Sequence, residues 1–378
     1  MKTKILLIVS AFILLFSCRN GNKKEEQGVV LQTYNIEYAK GFDITKYEGY
    51  IEVTVNNPWD STAVLQKYIL VEKGKELPLD LPAGKLIRIP LENLVVYSAV
   101  HCTTLQELGM LDIVSGVCEP QYIAVEYITS GVANGSIADL GQASSPNVEQ
   151  IIMINPDAIM STPIQGMAYG TIEKSGVPMI EIPDYMESTP LGRTEWIKFY
   201  SVFLGKEQLA DSLFSEVERK YNEIKEQVSK TTNRPTVLND LKYGNIWYVP
   251  GGKSYVANLL KDAGALHLWA EDEASGSVPY SYESVLDRAG DAEFWLIKYN
   301  NKTASMTYES MEKEFKPYSY FEAFKNRNIY ECNTGKVTYY EDLPIHPEYI
   351  LQDMAYIFHP ELYPDYKLRY FNRLGEGQ

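Results

Sequence analysis

The sequence predicts an α/β fold in which two Rossmann-like lobes with parallel-type sheets are joined by one long α-helix and preceded by a β-rich lead-in. Three observations favour this fold. Short apolar runs alternate with helical segments from Leu94 onward, as in parallel sheets that are covered on both faces. A helix-periodic segment covers residues 194–230, and one sequence unit occurs once on each side of it. We therefore expect an N-terminal lobe at 29–193 and a C-terminal lobe at 231–378.

The repeated unit combines a short helix with a following strand. Its copies read SPNVEQIIMINPDAIMST at 145–162 and YSYESVLDRAGDAEFWLIKY at 280–299. In both copies a glutamate, Glu149 or Glu283, precedes a pair of apolar residues, and Asp-Ala follows eight residues after the glutamate. Glu-x-apolar-apolar can recur by chance in an α/β protein. The matched positions nevertheless predict a helix, a turn and a buried strand in each lobe.

The N-terminus has the features of a secretory signal. Residues 1–17 combine a basic start with an apolar run that is too short to cross a bilayer comfortably. The segment ends in LFSC, which resembles the lipobox of bacterial lipoproteins and implies that Cys18 is acylated. A plain secretory signal with an accidental cysteine is the alternative. The polar, non-periodic residues 18–28 are predicted to be a lipid-anchored tether.

The lead-in at 29–93 is predicted to be rich in β-strands. Polar and apolar residues alternate there, as in YEGYIEVTVNN and LQKYILVEKG, with the period of half-buried strands.

The segment between the lobes is predicted to be one continuous helix. Residues 194–230 contain no proline, and only Gly205 interrupts them. The apolar positions follow the helical period. These positions are Leu209, Leu213, Val217, Tyr221, Ile224 and Val228. Because a continuous helix resists hinge bending, we expect little closure of the lobes when a ligand binds.

The charge balance disfavours nucleic acid and anionic lipid surfaces as partners. The chain of 378 residues has 35 Lys and Arg against 50 Asp and Glu, which gives a formal net charge of −15. A local cluster of Arg or Tyr can oppose the global sign, so the net charge does not identify the ligand.

The cysteines do not predict a metal site. Cys102, Cys118 and Cys332 lack the CxxC spacing and the nearby histidines of zinc sites, and we expect neither a metal site nor a cofactor. Cys102 and Cys118 could form a disulfide in an oxidising compartment, whereas buried free thiols are equally compatible with the sequence.

Four stretches, in this order, resemble one family of transport proteins. They are LVVYSAVHCTTLQELGMLDIVSGV, the first copy of the repeated unit, GGKSYVANLLKDAGA, and the second copy. Over residues 90–365 the chain resembles the substrate-binding proteins of ABC importers for iron–siderophore chelates, haem and vitamin B12, whose lobes are joined by a single rigid helix. Asn155 stands where this family usually has a lysine.

The resemblance implies a role for the two glutamates. In this family one exposed carboxylate on each lobe pairs with arginines of the membrane permease, and Glu149 and Glu283 match those positions. Both residues lie where a loop becomes a helix, and a carboxylate is favoured there by the helix dipole. The alternative is that they merely begin their helices.

The ligand is expected between the lobes, against loops that follow the carboxyl ends of the strands. Aromatic residues are frequent in these loops and suit a large, rigid, partly apolar chelate. The predicted ligand-binding residues are Tyr97, His101, Tyr122, Gln142, Tyr169, Tyr185, Arg193, Trp247, Tyr248, Tyr280, Tyr299 and Tyr340. For any single tyrosine a packing role is the alternative. Arg193 could instead pair with an acid, and His101 could be a structural histidine.

An enzyme is not predicted. The chain has no G-x-S-x-G motif, and PGGKSY lacks the first glycine of a phosphate-binding loop because Trp247 occupies its position. We expect a monomeric, membrane-anchored lipoprotein that faces the periplasm and delivers a ferric siderophore to a permease. Cobalamin and haem are alternative ligands. A surface lipoprotein that hands chelates to an outer-membrane receptor is an alternative function, because KKEE in the tether resembles the acidic export tags of such proteins.

Overall fold

The computed structural model describes residues 28–375 and contains three five-stranded sheets. The predicted signal segment 1–17, the predicted acylation site Cys18 and nearly all of the predicted tether lie outside the described residues. Between residues 28 and 375, no helix combines the length and the apolar character that a membrane span requires.

The lead-in forms an N-terminal sheet in the order β1-β2-β3-β4-β5, antiparallel except for the β4–β5 pair. Alternate residues along its strands face a core that is shared with the first lobe, as the period-two pattern predicts. The strands are β1 (Val30–Thr33), β2 (Phe42–Tyr47), β3 (Tyr50–Asn56), β4 (Val64–Glu72) and β5 (Lys85–Ile89).

The first lobe is built on a fully parallel sheet in the order β12-β11-β6-β7-β8. Its strands are β6 (Leu94–Val96), β7 (Val114–Val117), β8 (Ala138–Asp139), β11 (Ala158–Ser161) and β12 (Met179–Glu181), with the small hairpin β9 (Gly141–Gln142) and β10 (Ser145–Pro146). The connecting helices are α1 (Ala99–Glu107), α2 (Glu126–Asn134) and α3 (Val148–Ile154).

The second lobe has the sheet order β15-β13-β17-β18-β19, in which only the edge strand β19 is antiparallel. The strands are β13 (Thr236–Asn239), β14 (Trp247–Pro250), β15 (Leu266–His267), β16 (Ser277–Tyr280), β17 (Phe294–Tyr299), β18 (Ile329–Asn333) and β19 (Asn372–Arg373), with β14 and β16 paired in a separate ribbon. The helices are α6 (Tyr255–Asp262), α7 (Tyr282–Ala289), α8 (Tyr308–Glu314), α9 (Glu322–Lys325), α10 (Tyr339–Asp342) and α11 (Pro347–Phe358).

The segment between the lobes is two helices rather than one. Helix α4 covers Pro190–Leu204 and α5 covers Glu207–Ser229. Gly205 separates them in the left-handed conformation with φ of 65°, which glycine adopts without the steric cost of a Cβ. The continuous helix expected over residues 194–230 therefore begins only at Glu207, and α5 alone is the long helix that joins the lobes.

Helix α5 contributes to the cores of both lobes. Ala210 and Phe214, in its first half, pack in the core of the first lobe. Tyr221, Ile224 and Val228, in its second half, pack in the core of the second lobe. The apolar residues that recur with the helical period in the sequence therefore form one buried stripe along α5, and this stripe packs in both cores.

Two buried carboxylates attach the lead-in to the region around α4. Glu195 of α4 accepts hydrogen bonds from the backbone N–H groups of residues 37–39 at 2.7–3.0 Å. Glu187 accepts from the N–H groups of Lys40 and Gly41 and from the indole N–H of Trp196 at 2.8–3.0 Å. Segment 37–41 is thus held by several charge-assisted hydrogen bonds.

The two copies of the repeated unit have the same local structure. Asn147 caps α3 and Ser281 caps α7, each by accepting a hydrogen bond from the N–H three residues on. The glutamate is the second residue of each helix, and a fully buried residue, Ile151 or Val285, follows two residues later. A buried strand comes next in both copies, β11 and β17.

The cysteines are buried free thiols. Cys102, Cys118 and Cys332 form no disulfide within residues 28–375, so the structure selects the free-thiol alternative. Burial raises the pKa of all three thiols, which keeps them protonated and unreactive.

A histidine connects the two lobes at the base of their interface. His346, just before α11, lies 3.6 Å from Glu107 of α1 and 3.2 Å from Glu348 of α11. Burial disfavours the imidazolium, but the hydrogen bonds to Glu107 and Glu348 outweigh it and raise the pKa of His346 to about 9. The charged imidazole therefore joins a carboxylate of each lobe at neutral pH.

Truncation of Phe199 in α4 should destabilise the protein strongly. Its fully buried ring contacts Phe42 of the N-terminal sheet at 5.6 Å and Phe203 of α4 at 5.0 Å between centroids. Phe199→Ala should lower the free energy of unfolding by about 3–5 kcal/mol in urea denaturation. The exposed Tyr243→Ala is the control and should stay within about 0.5 kcal/mol of wild type. A loss at Phe199 as small as that of the control would contradict the packing described.

The contribution of His346 to stability should disappear at alkaline pH. Because its pKa is higher in the folded than in the unfolded chain, the contribution is complete below the unfolded pKa of about 6.5 and is lost as the pH rises through about 9. The difference in Tm between wild type and His346→Gln should therefore shrink over this window. His359→Gln is the control, because burial lowers the pKa of His359 and gives the opposite trend. A Tm difference for His346→Gln that is constant with pH would refute the charged bridge.

Candidate ligand-binding cleft

A cleft of about 520 Å³ lies between the lobes, within the size range of small-molecule sites. Loops that follow β6 and β7 form one wall, and the ends of β17 and β18 with their following loops form the other, so the cleft lies at the carboxyl edges of both sheets. It is lined by Ala99, Val100, Gln121, Tyr122, Ile123, Ala124, Lys298, Tyr299, Asn300, Lys302, Thr334, Gly335, Lys336, Val337, Thr338, Tyr340 and Glu341. This is the general position for ligands in open α/β sheets.

Three of the predicted aromatic residues meet in the cleft. Tyr122 lies on the wall of the first lobe and is mostly exposed. Tyr299, the last residue of β17, and Tyr340 of α10 lie on the opposite wall. The Tyr299 hydroxyl accepts a hydrogen bond from the N–H of Met306 at 2.9 Å, which fixes the orientation of its ring.

The cleft also contains three lysines that the sequence analysis missed. Lys298 pairs with Asp240 at 2.7 Å, Lys302 donates to the carbonyl of Gln121 at 3.4 Å, and Lys336 donates to a serine hydroxyl at 3.1 Å. All three lie in β17 or within three residues after β17 or β18. Their position at or just after the carboxyl end of a strand is the sequence feature from which these lysines could have been predicted as cleft residues.

Lys298 retains its charge although it is largely buried. Burial favours the neutral amine, but the adjacent carboxylate of Asp240 outweighs it and raises the pKa of Lys298. The ammonium is therefore held in place at the end of β17 by one fixed counter-charge.

A hydrogen bond crosses the cleft from the Lys302 ammonium to the carbonyl of Gln121. Glu341 of α10 lies in the lining on the wall opposite Ala124, and burial raises the pKa of its carboxyl group. The walls of the cleft thus contact each other through a cation of the second lobe.

Three predicted ligand-binding residues lie in the protein interior instead. Tyr97 and Trp247 are buried in the apolar cores. His101 is fully buried in α1 and bonds the hydroxyl of Tyr200 at 2.6 Å and that of Thr162 at 3.2 Å. Burial lowers the pKa of His101 to about 4, so it is a neutral structural histidine, the alternative considered above.

Arg193 forms an ion pair inside the protein. Its Nε donates to Asp184 at 2.9 Å, and both side chains are largely buried. The pairing with an acid that the sequence left open is therefore the arrangement in the structure.

The remaining predicted residues lie outside the cleft lining. Gln142 is exposed in the hairpin strand β9, and Tyr169 borders a separate depression beside β12. Tyr185 donates to a backbone carbonyl of its own lobe. Tyr248 and Tyr280 belong to the ribbon of β14 and β16.

Glu149 and Glu283 are exposed in the first turns of α3 and α7. Since each helix precedes a parallel strand, both first turns lie toward the carboxyl edges of the sheets, on the side of the cleft.

A group of three or more His, Cys, Asp or Glu residues able to hold a metal ion is not found among residues 28–375.

Comparison with known proteins finds a related sequence and solved structures of similar fold. An uncharacterized lipoprotein of Methanocaldococcus jannaschii is 28% identical, with 98% of this chain and 85% of the relative covered. The structure of an ABC-type Fe³⁺-hydroxamate transport system from Saccharomonospora viridis is similar with a TM-score of 0.53 and 19% identity over 71% of this chain and 94% of the other. The periplasmic heme-binding protein RhuT from Roseiflexus has a TM-score of 0.56 and 19% identity over 72% and 99%.

A family described as "Periplasmic binding protein" matches residues 94–334, the part of the chain that begins at β6 and includes the first wall of the cleft and the second wall as far as Thr334. The two lobes, the joining helix α5 and this match confirm the resemblance drawn from the sequence. The chain belongs to the periplasmic binding protein family.

Proposed function

We propose that the protein captures an anionic metal chelate, foremost a ferric siderophore, in the cleft between its lobes and delivers it to the membrane permease of an ABC importer. The lysines of the cleft carry this proposal. The lining of the cleft contains Lys298, Lys302 and Lys336 and one carboxylate, Glu341, while Asp240 pairs with Lys298 from outside the lining. The cleft therefore carries a net positive charge although the protein has a net charge of −15.

The lysines favour an anionic ligand. Lys302 contacts only a neutral carbonyl across the cleft, and among residues 28–375 it forms no ion pair. A carboxylate or catecholate oxygen would replace that carbonyl with a stronger, charge-assisted acceptor. Lys298, which Asp240 already neutralises, adds less net charge. A positive surface of this kind gives little advantage to a neutral ligand such as cobalamin.

The tyrosines suit the rest of a chelate. Tyr122, Tyr299 and Tyr340 offer aromatic faces and hydroxyls on both walls of the cleft, a combination that binds rigid, partly apolar molecules at low entropic cost. Haem is the second candidate, because a tyrosinate can ligate haem iron and the lysines can pair with its propionates. No catalytic step is proposed.

The comparisons agree with a metal-chelate ligand and a lipid anchor. One structural neighbour is named for Fe³⁺-hydroxamate transport and another for heme, while the M. jannaschii relative is named a lipoprotein. We infer a monomer that is acylated at Cys18 and faces the periplasm, with display at the cell surface as the alternative. The relative's name supports the anchor without distinguishing the two sides.

Glu149 and Glu283 are proposed to dock the protein onto the permease. Each is exposed at the same position of an equivalent helix, one on each lobe. Two carboxylates that flank the cleft can orient its mouth toward basic residues of a partner.

Calorimetric titration of the domain that begins at Gly28 tests the ligand class. Ferric catecholate or carboxylate siderophores should bind saturably, whereas neutral cobalamin and neutral ferric hydroxamates should bind more weakly. Tighter binding of cobalamin than of any anionic chelate would overturn the proposal, and tightest binding of haem would establish the second candidate.

Removal of the Lys302 charge should weaken binding of the preferred anionic chelate. Lys302→Met deletes one charge-assisted hydrogen bond, so its Kd should rise about tenfold or more, with a weaker dependence on ionic strength. Lys313→Met removes an exposed lysine of α8 that is absent from the cleft lining, and it should bind like wild type. Equal affinities of the two variants would exclude Lys302 from the site.

Reversal of the docking charges should separate uptake from binding. Glu149→Arg and Glu283→Arg should abolish chelate uptake by cells while calorimetry gives the wild-type Kd, because neither residue lines the cleft. Asp291→Arg is the matched control: Asp291 is an exposed acid of the second copy of the repeated unit, before the amino end of β17. Its uptake should be normal. A loss of affinity in the two glutamate variants would argue against a docking role.

A further inference from the structure

We propose that one apolar corner of the N-terminal sheet lies on the surface of the bilayer that carries the lipid anchor. The inference uses only the anchorage at Cys18 from the proposed function and is independent of the ligand. The apolar corner consists of Val29, Val30, Leu31, Leu77 and Leu79.

The residues of the apolar corner are unusually exposed. Their exposed fractions are 65% for Val29, 53% for Val30, 60% for Leu31, 45% for Leu77 and 100% for Leu79. Single exposed apolar residues are ordinary, whereas a group of them marks an interaction surface. Here three consecutive residues and a nearby loop expose five aliphatic side chains.

Contacts around the β2–β3 turn bring residues 29–31 close to the loop 77–79. Val30 pairs with Tyr47 at the end of β2, and the N–H of Glu48 donates to the carbonyl of Val29 at 3.0 Å. On the other side of the turn, a Cβ placed on Gly49 would lie only 2.9 Å from a side-chain carbon of Pro78. The strand β1 and the loop 77–79 therefore border the same turn.

The surroundings of the corner suit a zwitterionic membrane surface. A depression of about 390 Å³ beside it is lined by apolar groups such as Leu31 and by two lysines and two glutamates, which are Lys46, Lys75, Glu72 and Glu76. Lysines can extend their ammonium groups to lipid phosphates while their alkyl stems stay in apolar surroundings. Because acidic residues lie among them, a strongly anionic surface is a poorer match.

The length of chain before the corner limits its distance from the anchor. Gly28 lies beside Tyr50, because a Cβ placed on Gly28 would be 3.4 Å from the Tyr50 ring. The described chain therefore begins beside the corner. Cys18 precedes Gly28 by ten residues, and ten residues span at most about 36 Å when fully extended. An acylated Cys18 would therefore keep the apolar corner close to the bilayer.

The predicted tether before the corner does not provide an apolar cover of its own. Residues 19–27 read RNGNKKEEQ and contain no apolar side chain. Lipid headgroups and the upper parts of acyl chains, held close by the anchor, are the occupants that match five exposed aliphatic side chains.

Photo-crosslinking from anchored protein tests the proposal. The chain 18–378 is coupled through Cys18 to a maleimide lipid in phosphatidylcholine–phosphatidylethanolamine vesicles, a selective reaction because Cys102, Cys118 and Cys332 are buried. Benzoylphenylalanine at position 79 should form lipid adducts in severalfold higher yield than at position 243, which is exposed in the second lobe. Equal yields would overturn the proposal. So would predominant adducts with a second copy of the chain or with residues 19–27.

A second measurement separates the corner from the ligand site. With the crosslinker at position 31, Leu77→Glu combined with Leu79→Glu should reduce lipid adducts severalfold, because charged side chains resist entry into the apolar part of the interface. Unchanged adducts would contradict the role of the loop. Titration of the same vesicles with the preferred chelate reports the proposed function independently, and both proteins should bind it alike.

Discussion

The arrangement of the whole molecule depends on α5, because one helix is built into two hydrophobic cores. Phe214 is fixed in the first lobe and Tyr221 in the second, only seven residues apart, so the lobes cannot turn freely about a flexible linker. The bridge of Glu107, His346 and Glu348 joins the lobes beside α5, and the Lys302 contact joins them across the cleft. With a rigid helix and an ion bridge on one side and the Lys302 contact on the other, ligand entry is expected to exchange the Lys302 contact rather than swing the lobes through a large angle.

The lead-in sheet is attached to this frame by a different kind of interaction. The apolar residues of its inner face pack against α4, but the segment 37–41 is held by the buried carboxylates of Glu187 and Glu195. Backbone N–H groups of an irregular segment have no strand partner, and their burial is costly unless an acceptor is supplied. Glu195 of α4 and Glu187 just before α4 supply these acceptors. Helix α4 therefore connects the N-terminal sheet rigidly to the first lobe.

The sequence predicted the elements whose pattern is local and failed where tertiary contacts decide. The helical period of α5 and the repeated unit are local, and the structure contains both. The break at Gly205 was visible only as one glycine in a helical pattern, which many helices tolerate. Among the candidate site residues, Tyr299 ends a strand and reaches the cleft, whereas Trp247 begins one and is buried. The aromatic type of a residue does not distinguish these two environments. Whether a tyrosine or tryptophan lies in the cleft or in the core depends on the neighbouring strands, which the local sequence does not specify.

The same distinction between local and global properties applies to charge. The net charge of −15 suggests a protein that repels anions, but at physiological ionic strength surface charges are screened beyond about 8 Å. A ligand inside the cleft therefore experiences mainly Lys298, Lys302, Lys336 and Glu341. Low-dielectric walls strengthen those interactions relative to water. The acidic exterior and the basic cleft are thus compatible: the exterior disfavours contact with other anionic surfaces, while the lysines at the strand ends favour retention of an anionic ligand if the proposed function holds.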